Sequence, residues 1–183
     1  SKSQGGQKWG SKASAWIGLR GKKKPIGHLY GRPAEKDTLN EQVMLAAEYW
    51  GFQAFFEHNS DDYFSYFKSR GRLLYLGLYP IILIDPVKLE TTERHRGVPT
   101  TPYSLTKQAD MGVAFVENNC EDIDFEVLIE DMKTFDPNDR TKSDITVSFL
   151  ILNCVLHDII PKKDRPKEPI VKSYSNEVNA QLN

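Results

Sequence analysis

Apolar residues recur at helical spacing after Thr38. Leu39, Val43, Ala46, Ala47 and Trp50 share one face, Thr38-x-x-Glu41 has the form of a capping box, and Gly51 marks the stop. Ahead of this helix, two short strand-like runs (13–20 and 25–31) flank the basic turn 21–24 and predict a hairpin. Residues 52–57 predict a buried strand that ends in a carboxylate, Glu57. Ser60 is placed to cap a second helix, with Asp61 and Asp62 in its first turn, Phe64 and Phe67 inward, and Gly71 as its end. The run 73–84 is β-like, interrupted by Gly77 and Pro80, and a polar loop follows over 85–101.

Thr101-Pro102 predicts the cap and first residue of a helix running to Asn118. Asp122 or Asp124 opens a short helix with Phe125, Leu128, Ile129 and Met132 inward, and Phe135-Asp136-Pro137-Asn138 reads as a turn. Thr141-x-x-Asp144 then starts a helix that is apolar nearly all round from 145 to 156, the pattern of a deeply buried element. From Pro161 onward, proline and charge predict a disordered tail. The expected organisation is one α/β domain over residues 1–160, a mixed β-sheet flanked by helices, and a tail over 161–183.

Composition narrows the class. A 183-residue chain of net charge −1 with 39% hydrophobic residues suits a single folded domain and argues against wholesale disorder. No run approaches the roughly 18 apolar residues of a membrane span. Cys120 and Cys154 lack metal or redox spacing, which favours a reduced intracellular protein. The first residue is not Met, so the chain reads as part of a longer polypeptide. Charge is uneven: residues 1–36 carry nine Lys/Arg and one acid, on an otherwise acidic chain. A basic end can mean a polyanion partner, though composition alone favours a solvated arm and a Lys-rich hairpin turn.

The segment GGQKWGSK at 5–12 has phosphate-loop glycine spacing, but its Ser and Lys are transposed and no strand precedes it, so nucleotide binding there is excluded. The four histidines are scattered without zinc-ligand spacing. The carboxylates carry more. Glu57 falls where a hydrophobic strand runs out, and Asp144 stands at the positive end of the most buried helix. Such a pair can contribute to a hard-cation site. The plainer readings are a solvated strand end for Glu57 and a capping-box residue for Asp144.

From Leu39 to Leu156 the chain resembles the nuclease domain of the large terminase subunit, the DNA-packaging motor of tailed phages. Three segments carry the resemblance: Ala46-Ala47-Glu48-Tyr49-Trp50-Gly51 leading into Phe56-Glu57-His58-Asn59; Gly97-Val98-Pro99-Thr100-Thr101 with Thr106-Lys107; and Asp144 opening an apolar helix after Phe135-Asp136-Pro137 and Thr141. The resemblance implies an RNase H-like fold and cleavage of duplex DNA with two Mg2+ or Mn2+ ions. Glu57 and Asp144 match the family's second and third acids, and Asp62 is an additional possible ligand. The first acid has no counterpart, so the strand bearing it is expected before Ser1. Lys22, Lys23, Lys24, Arg94, Arg96 and Lys107 are the expected contacts to DNA phosphates, without base preference. The implied partners are double-stranded DNA, the motor's ATPase half, the portal and the small terminase subunit, in the cytoplasm of a bacterial host. The alternatives are a catalytically silent DNA-clamping or docking module, and another RNase H-like nuclease such as a resolvase.

Overall fold

The computed structural model describes residues 13–31, 36–57, 62–88 and 95–158. Two antiparallel strands, β1 (Ala13–Leu19) and β2 (Lys24–Gly31), form the expected hairpin, with a register shift between Ile17 and Gly18. Lys23 closes the turn at φ 51°, in the left-handed region that non-glycine residues seldom occupy. Among the described residues five α-helices follow: α1 (Lys36–Trp50), α2 (Asp62–Ser69), α3 (Pro102–Asn119), α4 (Glu126–Lys133) and α5 (Asp144–His157). The fold is thus mixed α/β. Its finer assignment as RNase H-like is taken up below.

The predicted glycine stops hold, and for one physical reason. Gly51 (φ 66°) and Gly71 (φ 67°) both adopt left-handed backbone just past a helix. In each case the next amide reaches back to a carbonyl five residues earlier, Phe52 N–H to Ala47 (2.9 Å) and Arg72 N–H to Phe67 (2.8 Å). These bonds occupy carbonyls that the helix ends leave orphaned. Thr101 also caps α3 as expected: its Oγ1 accepts from Ser104 N–H, and Ser104 Oγ accepts from Thr101 N–H.

Four expectations need correction, and the first is that neither Asp122 nor Asp124 opens α4, whose cap position is held by Phe125 with no side-chain bond. The β-like run 73–84 folds into two 3-10 turns, Leu73–Tyr75 and Ile81–Leu83, with only single bridges at Leu76 and Leu78. Pro80 supplies no amide and heads the second turn, so a continuous ladder cannot form. α1 begins at Lys36, so Thr38 lies inside the helix; Glu41 instead accepts from the Tyr66 hydroxyl and pairs with Arg70 (3.5 Å). Thr141 does not cap α5. Its hydroxyl donates to Asp139 (2.6 Å), and Ser143 occupies the cap position with no side-chain bond. The expected Ser60 cap, Arg94, and the 161–183 tail lie outside the described residues.

α5 is the centre of the molecule. Nine of its residues are buried, and it contributes to two apolar clusters. One unites Ile151, Cys154 and Val155 with Leu83 and Val98; the other joins Ile145, Phe149 and Leu150 to Phe115 of α3 and Leu128 of α4. The hairpin lies across α5. Trp16 Nε1 donates to the Ile145 carbonyl (3.0 Å), Ser14 and Ser148 hydroxyls meet at 2.6 Å, and a Cβ on Gly18 would stand 2.8 Å from Leu152. A third cluster, Met44, Phe56, Phe67 and Leu76, joins α1 and α2 to the extended segment 52–57.

That segment is strand-like along one edge. Ala54 N–H donates to Tyr75, Gly77 N–H donates to Ala54, and Val98 N–H donates to Phe56. Ala54 and Phe56 are two apart, so all three bonds leave from the same edge.

Candidate functional site

Between β1 and segment 52–57 lies a cavity of about 1100 Å³. Leu39 and Val43 of α1 line it, as do Val147 and Leu152 of α5. Glu57 and Asp144, carried by separate elements, both line this same space. Arg20 and Asp158 also line it, with Arg20 Nη1 donating to the Asp158 carbonyl (3.1 Å) and Asp158 Oδ1 accepting from Ile82 N–H (3.0 Å).

Glu57 has a neighbour that sequence reasoning missed. Arg140 Nη2 stands 3.3 Å from Glu57 Oε1 and donates to Gln108 Oε1 at 2.8 Å. Both charged side chains are largely covered, 16% exposed for Arg140 and 24% for Glu57. Burial lowers the guanidinium pKa from its usual value, and Glu57 opposes that shift. The turn carrying Arg140 is itself fixed by Asp139, which accepts from Lys142 (2.8 Å) and Thr141 (2.6 Å). These bonds, led by Lys142, hold its carboxyl at about 2. No spacing in the chain marks Arg140, because its partner Glu57 lies 83 residues away.

The remaining expected site residues are more dispersed. Asp62 opens α2. Lys22 and Lys23 are exposed at the hairpin turn, while Lys24 stands 4.0 Å from Asp124. Arg96 donates to the Leu76 carbonyl, which commits part of its guanidinium to holding the bridged segments together. Lys107 sits on α3 beside Gln108, close enough to Cys154 to favour its thiolate, although burial dominates and pushes that thiol up to about 12. His28 bonds Ser14 Oγ (2.9 Å) and stacks on Trp16 with ring centres 4.0 Å apart. This Ser–His contact lies within the hairpin.

The chemistry of Glu57 and Asp144 fits Mg2+ or Mn2+, which take carboxylate oxygens. Among the described residues no three His, Cys, Asp or Glu side chains form a group that could hold a metal ion. None of the described helices is long and apolar enough to cross a membrane. The chain matches no family model, no curated protein and no solved structure in the comparisons made.

Proposed function

We propose that the chain is the RNase H-like nuclease domain of a phage DNA-packaging terminase, a metal-dependent endonuclease acting on duplex DNA in the host cytoplasm. One observation carries this reading: Glu57 and Asp144, the two acids matched by the resemblance, line one cavity from separate elements. Together they would hold Mg2+ or Mn2+, with Asp62 or a donor outside the described residues completing the set. Such ions, when bound there, would activate a water and stabilise the leaving oxygen. The chain's own part is electrostatic. Asp144 sits at the positive end of α5, Arg140 orients Glu57, and Lys22 and Lys23 offer charge to DNA phosphates. The ATPase half, portal and small terminase subunit are proposed partners on the same footing.

Manganese-dependent plasmid nicking tests the reading. Asp144→Asn abolishes nicking while stability changes by no more than about 1 kcal/mol, since Asn is near-isosteric. Nicking that survives in this variant removes Asp144 from the chemistry. The Arg140–Glu57 pair favours a second reading, a catalytically silent DNA-clamping module, because a paired Glu57 is already charge-neutralised. Duplex binding without any nicking by the wild-type chain selects it.

A further inference from the structure

Once past Asp37, every exposed residue of α1 is uncharged: Thr38, Gln42, Leu45, Tyr49 and Trp50. The outward faces of α3 and α4 differ, since they carry Asp110 and Glu117, and Glu126 and Glu130. Leu45 is 51% exposed, Tyr49 80% and Trp50 59%. The rings are already ordered. Tyr49 stands edge-on to Trp50 with centres 5.0 Å apart, and Trp50 lies nearly parallel to Phe52 at 6.2 Å. An aromatic array held in place before docking loses little entropy when it is covered.

The spacing is that of a helix–helix seam. Thr38, Gln42, Leu45 and Tyr49 follow one another at intervals of four, three and four, the heptad pattern that keeps one stripe facing a partner helix. Glu41 and Glu48 border the stripe on one side, and each is already paired: Glu41 with Arg70 (3.5 Å) and Glu48 with Arg72 (3.1 Å). The border therefore holds both signs in equal number, so two identical faces can meet without like-charge repulsion. With 150–250 Å² for a whole aromatic side chain, Leu45, Tyr49 and Trp50 expose together about 300–400 Å². Doubled across two copies, that is about 600–800 Å² before the rim is added, the range of weak and reversible association.

We infer that the outward face of α1 is a self-association surface, on which a second copy of this chain lays its own α1 antiparallel across a two-fold axis beside residue 47. Leu45 of one copy then packs on Tyr49 of the other, and Glu48 and Arg72 of both copies alternate around the axis. An axis midway between Gln42 and Leu45 is poorer, because it sets each apolar side chain of the seam against a polar one. Antiparallel packing also places opposite helix dipoles side by side. The inference goes beyond the nuclease reading and needs neither metal nor DNA.

Sedimentation equilibrium of the full chain, without metal and from micromolar to millimolar concentration, tests it. The wild type should pass reversibly from monomer to dimer and go no further. Tyr49→Glu changes a side chain that the fold leaves exposed, so the monomer stays folded while dimerisation weakens at least tenfold. Val113→Glu, on the exposed side of α3, should dimerise like the wild type. Isotope-filtered NOE spectra of a mixed-label dimer should place the Leu45 methyls of one copy beside the Tyr49 ring of the other. A chain that stays monomeric at millimolar concentration overturns the inference and leaves the face to a different partner. Association that Tyr49→Glu does not weaken overturns it by moving the contact elsewhere, and equal weakening by both glutamates overturns it as a general charge effect. A dimer without the Leu45–Tyr49 contact overturns the antiparallel arrangement.

Discussion

Arg140 meets Glu57 at 3.3 Å across the molecule, joining the turn before α5 to the end of segment 52–57. The contact welds together the two elements that carry the candidate acids, and it competes with any cation for Glu57. Arg140→Gln separates these roles. It removes the guanidinium from a largely covered carboxylate, so urea unfolding should show a loss of about 1–3 kcal/mol. In the same variant, manganese affinity measured by calorimetry should rise, and Glu57→Gln in the wild-type background should lower it. An affinity indifferent to both changes makes the pair purely structural.

Lys22 and Lys23 are the exposed cations of the hairpin turn. Replacing Lys22 by Ala and Lys23 by Gly keeps the left-handed backbone at residue 23 while removing two charges. The slope of log DNA affinity against log salt should fall by about 2, at roughly 0.9 per phosphate contact. Nicking at saturating DNA should stay constant. An unchanged slope moves the DNA path away from the hairpin.

His28 gives stability a dependence on pH. Burial pulls its pKa below the ordinary 6.5, against a smaller opposing pull from Asp131. The folded state therefore resists a proton that the unfolded chain accepts. Stability from this group is level above about pH 7, declines as pH falls through 6.5, and levels again below the folded-state pKa. Subtracting the pH-stability curve of His28→Gln from that of the wild type should isolate this decline. Two parallel curves would show that His28 titrates alike in both states.

Gly112 lets α3 approach α5, since a Cβ there would collide with Leu150 Cδ2. Leu150 is only 3% exposed and packs among Phe115, Leu128 and Phe149, so it has little room to yield. Gly112→Val should lose about 2–3 kcal/mol in thermal unfolding, whereas Val113→Ala on the exposed side of α3 should stay within about 0.5 kcal/mol. Equal effects would place Gly112 outside the helix contact.

Local signals in the chain suffice where a short-range rule decides the outcome. The glycine stops at 51 and 71, the Thr101 cap and the all-round apolar run of α5 each depend on residues within one or two turns. Segment 73–84 misled because its hydrophobicity reflects burial against α5 and segment 52–57, which 3-10 turns satisfy as well as a strand does. The Thr141 cap misled because Asp139 is an equally near and charged partner for its hydroxyl. Glu57 and Asp144 were identifiable as residues, but their common cavity is a product of tertiary packing, and Arg140 carries no local pattern at all.

The docking of the hairpin on α5 sets a timetable for biosynthesis. Ser14 and Ser148 are 134 residues apart, and at about 5–20 residues per second a ribosome takes roughly 7–27 s to travel between them. The hairpin can close in microseconds, yet Trp16 has no Ile145 carbonyl to bond until that interval has passed. Such widely separated contacts close late and slowly. Throughout translation the nascent chain therefore carries an isolated two-stranded ribbon with unsheltered edges, and its susceptibility to chaperone capture should end only as the α5 sequence clears the exit tunnel.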